Sequence, residues 1–292
     1  MKSRPPVTPA GTHWLLPRAG NLDAREMAVN AGKPSLVMPG GAIVSGDPTR
    51  DHYDRLAATY DENWAYSPQF LQWMNGCIQA RLRTTDGDVA ADIGCGTGLY
   101  AHGLAEHAAE VVCADASAHM LAQVTPHSNM SLVQATAEDL ASGSAHLPRD
   151  GYDAILLKEV LHHVGDPAAV IAGLARLLKP AGRMLVVMLP ARIGYPLFAA
   201  ALELFAARQP DPAAIAAAMR AAGLQAELSS ESFPLAFPAQ RYLQMVRNRY
   251  MSLLSSFDDA AIDAGIAEIR SAHPGGQIRF TDTFAFVLGL KA

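Results

Sequence analysis

The 292-residue sequence predicts an α/β fold built on a mostly parallel sheet with helices on both faces. Three observations carry that expectation. Short apolar runs alternate with helical stretches from residue 88 onward, the first run opens directly into a glycine-rich turn ("DIGCGTG"), and the chain closes on one more long strand-like run, "QIRFTDTFAFVLGL".

Taken in order, residues 1–47 are rich in Pro and Gly ("SRPPVTPAGTHW", "VMPGGAIVSGDP") and read as an extension with little regular structure. A single domain is expected from 48 to 292. "DPTRDHYDRLAATYDENW" has a helical pattern with an acidic start. In "SPQFLQWMNGCIQARLR", Ser67 is placed as an N-cap and Pro68 in the first helical position. Phe70, Met74, Ile78 and Leu82 then recur every four residues along one face. Strands are expected over 88–94, 110–116, 130–135, 152–158 and 183–189. The helix between the last two spans 166–179: Asp166-Pro167 opens it, Val170, Ile171, Leu174, Leu177 and Leu178 form its buried stripe, and Lys179-Pro180-Ala181-Gly182 closes it. Alanine-rich helices over 194–208 and 211–222 lead to a strand over 225–234. Helices over 238–255 and 258–271 precede the final strand, 277–290.

Composition limits the function. A net charge of −5 and the lack of like-charge runs argue against a nucleic-acid binder that works by neutralising phosphates. Cys77, Cys95 and Cys113 are widely spaced and form no C-x-x-C pair, so neither a disulfide framework nor a metal site is suggested and a reducing, cytoplasmic setting is expected. The N-terminus has no apolar signal core, and no apolar run approaches the ~18 residues of a membrane span. The partner expected is a small molecule, with no nucleic acid and no membrane. The oligomeric state is not legible; a homodimer is one option.

The glycine-rich turn admits two kinds of ligand. A dinucleotide fingerprint counted from Gly94 requires glycine where Leu99 stands, but counted from Gly96 the frame Gly96, Gly98, Ala101 satisfies its looser form, so that alternative stays open. The order Asp92-x-Gly94-x-Gly96-x-Gly98 resembles motif one of the class I S-adenosylmethionine-dependent methyltransferases. The resemblance implies a Rossmann-like seven-stranded sheet, mostly parallel with an antiparallel last strand, with helical cap insertions at about 191–210 and 236–272. It implies S-adenosyl-L-methionine as cofactor and S-adenosyl-L-homocysteine as product. Asp92 is carried over as the acid near the cofactor's amino group. Gly94, Cys95, Gly96 and Gly98 supply bare backbone for close approach. Asp115, at the tip of "EVVCADAS" with Ala116 beside it, is placed on the ribose hydroxyls, a position dinucleotide enzymes also use.

"QATAEDL" resembles the family's adenine-binding segment, with Ala137 and Glu138 as the contacts. Thr136 stands where the family carries an acid, and the pair Glu138-Asp139 also fits plain helix initiation. "YDAILLKEVLHHVGDP" resembles the segment after strand four in small-molecule members, among them the ubiquinone and menaquinone methyltransferases; Lys158 falls there at the cofactor edge. Tyr60, in "HYDRLAATYDENW", resembles part of the N-terminal helical segment that folds over the cofactor.

In such enzymes the methyl group arrives activated, so the protein aligns a nucleophile, excludes water and needs no metal. His162 and His163 are the candidate general bases, with structural packing as the alternative. Arg241, Arg247 and Tyr250 are candidates for holding the acceptor; the alternative is a solvated arginine face beside a stripe of Leu243, Val246, Tyr250 and Leu253. Lys158-Glu159-Val160-Leu161 replaces the signature of adenine N-methyltransferases. The expected function is in-line methyl transfer to an O, N or C nucleophile of a small molecule. The alternative is a protein that binds S-adenosylmethionine without methylating, as a regulatory module or cyclisation catalyst.

Overall fold

Ser67 and Pro68 start the first long helix, α1 (Pro68–Leu82), as their chemistry dictates: the Ser67 hydroxyl accepts from the Phe70 amide at 3.1 Å and Pro68 sits where no amide is needed. Phe70, Met74, Ile78 and Leu82 are all buried on one face, each contributing up to about 1.5–3 kcal/mol of burial. The computed structural model describes residues 53–55, 57, 60–61 and 66–292. The extension expected over 1–47 therefore lies outside the described residues. Of the acidic segment that follows it, residues 53–55 and 60–61 are helical.

The seven strands are β1 (Val89–Ile93), β2 (Glu110–Asp115), β3 (Met130–Gln134), β4 (Tyr152–Lys158), β5 (Leu178–Met188), β6 (Leu224–Pro238) and β7 (Gln277–Lys291). They form one sheet in the order β3-β2-β1-β4-β5-β7-β6. The first five run parallel, and β7 is antiparallel to both its neighbours, β5 and β6. Strand order reverses between β1 and β4, so the loops leaving their carboxyl ends part and open a crevice.

Between the strands lie α2 (Ala101–Ala105), α3 (Ala118–Leu121), α4 (Ala137–Ser142) and α5 (Pro167–Arg176). Between β5 and β6 come α6 (Ala199–Arg208) and α7 (Pro212–Ala221). Then α8 (Ala239–Arg247), a 3₁₀ turn (Ser252–Ser256) and α9 (Asp259–Ala272) precede β7. Alternate strand residues enter two cores. Cys113, Leu156 and Val187 face α1 and the helices before β7, whereas Val112, Ile155 and Val186 face α4, α5 and α7. No helix among the described residues is long and apolar enough to cross a membrane.

Three boundaries depart from expectation. The helix expected over 166–179 ends at Arg176, because Leu178 already pairs with Tyr152 in β5; a register shift before Ala154↔Arg183 absorbs Lys179 to Gly182. The helix expected from 194 begins at Ala199, since Pro196 disfavours helical backbone at Tyr195. The one expected over 238–255 breaks after Arg247, where Arg249 turns left-handed (φ 55°) and its guanidinium binds the Phe257 carbonyl and Asp259.

The crossing of α4 and α5 depends on Gly173, where an added Cβ would lie 2.3 Å from the Ala141 carbonyl oxygen. Gly173→Ala is expected to cost about 1–3 kcal/mol by overpacking, read as a lowered midpoint in urea denaturation; an unchanged midpoint would show that the crossing yields freely.

Candidate active site

At the carboxyl end of β1 the chain turns through Gly94 (φ 72°) and Gly96 (φ 57°), a conformation that side chains resist. The amides of Gly94 and Cys95 both donate to the Ala114 carbonyl, at 2.7 and 3.0 Å, tying the turn to β2. Asp115, ending β2, accepts from the Gly96 amide at 2.9 Å and from the Ser117 amide at 2.8 Å. Glycine at 94 also answers to the chain's own packing, because a Cβ there would lie 2.4 Å from Cγ2 of Val160. The bare backbone thus lets the loops after β1 and β4 close on one another.

Above this junction lies a cavity of about 300 Å³. Its floor includes Asp92, Gly94, Cys95 and Gly96 from the first turn, and Lys158, His162 and His163 from the segment after β4. Tyr60 reaches it from the N-terminal segment. Asp92 is only 2% exposed, and none of the described residues donates a hydrogen bond to its carboxylate. Burial, reinforced by nearby Asp115 and opposed by Lys158, pushes its pKa up to about 7. Lys158 has no carboxylate within ion-pair distance among the described residues. Its ammonium lies 4.6 Å from the ring centre of Tyr100 and 5.2 Å from that of Phe284, and burial lowers its pKa.

The segment after β4 is tightly fixed. Glu159, left-handed at φ 57°, accepts from the Leu189 amide at 2.7 Å, which joins the ends of β4 and β5; burial raises its pKa. His162 lies against His163 with ring centres 3.8 Å apart and the rings tilted by 49°. Its Nδ1 is enclosed without a hydrogen-bond partner among the described residues, 3.9 Å from the Glu159 carboxylate. Burial, His163 and Lys158 hold its pKa well below the usual range, so the ring is neutral at physiological pH. Nε2 of His163 is 2.7 Å from the Tyr53 hydroxyl. Two further contacts join the N-terminal segment to the loops: Thr97 donates to Asp61 at 2.6 Å, and Ser117 donates to Asp54, whose carboxylate also lies 3.2 Å from His119.

Other expected site residues stand outside the cavity lining. Gly98 packs toward Val124, and Ala116 offers its carbonyl to Gln134 at 3.3 Å. Asp115 lies beneath the turn it anchors. Ala137 is buried at the start of α4, while Glu138 accepts from the Gly165 amide at 3.3 Å. Thr136 caps that helix, accepting from the Asp139 amide and donating to its carboxylate.

The three residues expected to hold the acceptor are not brought to this cavity either. Arg241 lies over the Phe237 ring, Arg247 pairs with Asp263 at 2.7 Å, and Tyr250 is buried with its hydroxyl 3.2 Å from that of Tyr242. The cavity wall opposite the glycine turn comes instead from Phe205 and Arg208 of α6 and from Met251, Ser252 and Ser256 at the 3₁₀ turn. Sequence reasoning placed caps at both regions but did not name Phe205, Arg208, Ser252 or Ser256.

Residues 91–186 match the family description "Methyltransferase domain". Over 202 residues the chain is 34% identical to a ubiquinone biosynthesis O-methyltransferase of Xanthomonas axonopodis pv. citri, covering 60% of this chain and 80% of that one. The enzyme of the same name from Xanthomonas oryzae pv. oryzae is 33% identical over 151 residues; the match covers 48% of this chain and 61% of that one. In fold, the chain resembles a phosphoethanolamine N-methyltransferase of Haemonchus contortus solved in complex with S-adenosyl-L-methionine. The TM-score is 0.54 at 16% identity, covering 85% of this chain and 60% of that one.

The enclosed ring of His162 has a direct spectroscopic consequence. Its imidazole resonances are expected to stay in the neutral form from about pH 8 to about pH 6 in an NMR titration of histidine-labelled protein. A titration with an ordinary midpoint would show a solvated ring.

Proposed function

Because the chain belongs to the class I S-adenosylmethionine-dependent methyltransferases, we propose that it transfers the cofactor's methyl group to a hydroxyl of a small-molecule acceptor in the cavity described above. The observation that carries this reading is Asp92, a buried carboxylate facing the cavity and lacking a donor among the described residues. Such a group requires a cationic partner, and the ammonium of S-adenosylmethionine provides one. The donor set therefore fits the cofactor. Asp92 would take its ammonium and Lys158 its carboxylate, while Asp115, beneath the turn and outside the lining, would meet the ribose only at the edge of that cavity.

When bound, the cofactor supplies a methyl group already activated on a sulfonium, which leaves the protein to orient the acceptor and handle one proton. His162 is suited to that proton. Its Nδ1 is enclosed on the Glu159 side, so the ring keeps its hydrogen there and presents Nε2 to the acceptor hydroxyl. The lowered pKa means that the base needs no prior deprotonation. His163, whose Nε2 is engaged by Tyr53, packs against the tilted ring of its neighbour and orients it. Phe205 and Met251 keep water from the acceptor side. A hydroxyl acceptor also agrees with the O-methyltransferase relatives.

Labelled S-adenosylmethionine incubated with a phenol and catechol panel should give labelled methyl ethers by mass spectrometry. Tight cofactor binding without product from any acceptor pool would favour the binding-only alternative. His162→Ala should lower turnover by about 10²- to 10⁴-fold while leaving affinity for S-adenosylhomocysteine unchanged; full activity would remove the assignment.

Asp92 gives a separate prediction. Only the ionised carboxylate pairs with an ammonium, and in the free protein it is half protonated near pH 7. Calorimetric affinity for S-adenosylhomocysteine should therefore rise by up to about tenfold per pH unit below that point and level off above it. Asp92→Asn should bind more weakly with that dependence removed. A flat profile in the parent protein would contradict the assignment.

A further inference from the structure

We propose that Arg208 and the serine-bearing 3₁₀ turn form an anion subsite on the acceptor side of the cavity, so that the acceptor is an acid: an apolar body with a carboxylate at the end away from the methylated hydroxyl. This rests on the transfer reading above and names the class of molecule transferred to.

The charges around the cavity lead there. On the cofactor side each ionic group has a counterpart, Asp92 for the ammonium and Lys158 for the carboxylate. Arg208 is left over. It lines the cavity from the last turn of α6, and none of the described carboxylates lies within ion-pair distance of it. Arg81, Arg149, Arg183, Arg247 and Arg249 all have such partners. Its Nη1 donates to the Ser256 hydroxyl at 2.9 Å, which aims the guanidinium at the turn and leaves most of its five donors for another group.

The arginine also stands on a fixed base. Next to it, Gln209 is buried and donates to the Leu189 carbonyl at 2.7 Å, tying the end of α6 to the chain leaving β5. A favourable interaction with the helix dipole would account for a cation at this helix end. It would not account for the contact to Ser256 on the 3₁₀ turn. The hydroxyls of Ser252 and Ser256 add neutral donors at the same wall. Leu189, Phe205, Met251 and Leu253 line the same cavity as Arg208 and His162, an apolar lining suited to a ring or short hydrocarbon body. A planar, bidentate donor in the wall of an otherwise apolar cavity selects a carboxylate over a neutral polar group.

The test uses the full-length protein loaded with S-adenosylhomocysteine and titrated calorimetrically with matched pairs: 3,4-dihydroxybenzoate, 4-hydroxyphenylacetate and 4-hydroxycinnamate, each beside its methyl ester. At least one acid should bind tenfold or more tightly than its ester. Arg208→Gln should abolish the difference and Arg208→Lys should restore part of it, with S-adenosylhomocysteine affinity unchanged in both. Equal binding of acids and esters, binding of neither, or a preference that survives Arg208→Gln would overturn the subsite. Methyl transfer from labelled S-adenosylmethionine to the same compounds separates this proposal from the reading beneath it. Esters methylated as well as acids would leave transfer standing and remove the subsite. Acids held through Arg208 but never methylated would do the reverse.

Discussion

A carboxylate buried at the end of a parallel strand is the constraint around which this site is organised. Asp92 is registered against Cys113 of β2 on one side and Leu156 of β4 on the other, so its immediate sheet neighbours offer it no side-chain donor. Left charged and alone in such surroundings it is unfavourable, and its pKa climbs to about 7. Lys158 at the end of β4 opposes that rise without forming an ion pair, because its ammonium is drawn to the aromatic faces of Tyr100 and Phe284. Two opposite charges are thus held in one cavity without neutralising each other. A zwitterionic amino-acid moiety carries the complementary pair of charges.

A second acid, on β7, is buried with only part of its demand met. Asp282 of β7 is fully buried and also pushed up to about 7, but one of its oxygens accepts from the Tyr195 hydroxyl at 2.8 Å. Tyr195 in turn lies 3.1 Å from the Tyr66 hydroxyl. A phenol therefore meets part of the demand of Asp282, whose Oδ1 has no hydrogen-bond partner among the described residues, whereas Asp92 lines the cavity.

Much of this was legible before the fold was known, and the division follows the range of the forces involved. Strand positions were readable because burial on both faces leaves continuous apolar runs such as Ala154 to Leu157. Ser67, Asp166 and Asp258 announce helix starts through contacts made within three residues. The boundary between α5 and β5 was not legible, since Leu178 has the same apolar character in a helix or a strand and its pairing with Tyr152 comes from elsewhere in the chain. The site divides likewise. Asp92, the glycines and Lys158 sit in short segments whose spacing carries their meaning, while Phe205, Arg208 and Ser256 reach the cavity only through the packing of α6 on the 3₁₀ turn. The arginines of α8 carried the stronger sequence signal, as a cluster beside an apolar stripe, yet Arg247 is satisfied by Asp263 on the neighbouring helix.

The N-terminal segment shows how modest contacts gain weight from where they fall. Tyr53, Asp54 and Asp61 each meet a different loop, those after β4, β2 and β1 in turn. At about 0.5–1.5 kcal/mol per hydrogen bond, the three together are comparable to the entropy of ordering only a few residues. Their placement matters more than their sum. All three loops leave the carboxyl edge of the sheet, so one segment pins the whole rim of the crevice at once, and Tyr53 and Tyr60 bring aromatic faces to the cavity as they do so. Tyr53 ends on His163, whose ring lies against that of His162. The contact that joins the segment to the loop after β4 therefore also reaches the two histidines beneath it, and the placing of the segment and of the His163 ring meet at the Tyr53 hydroxyl.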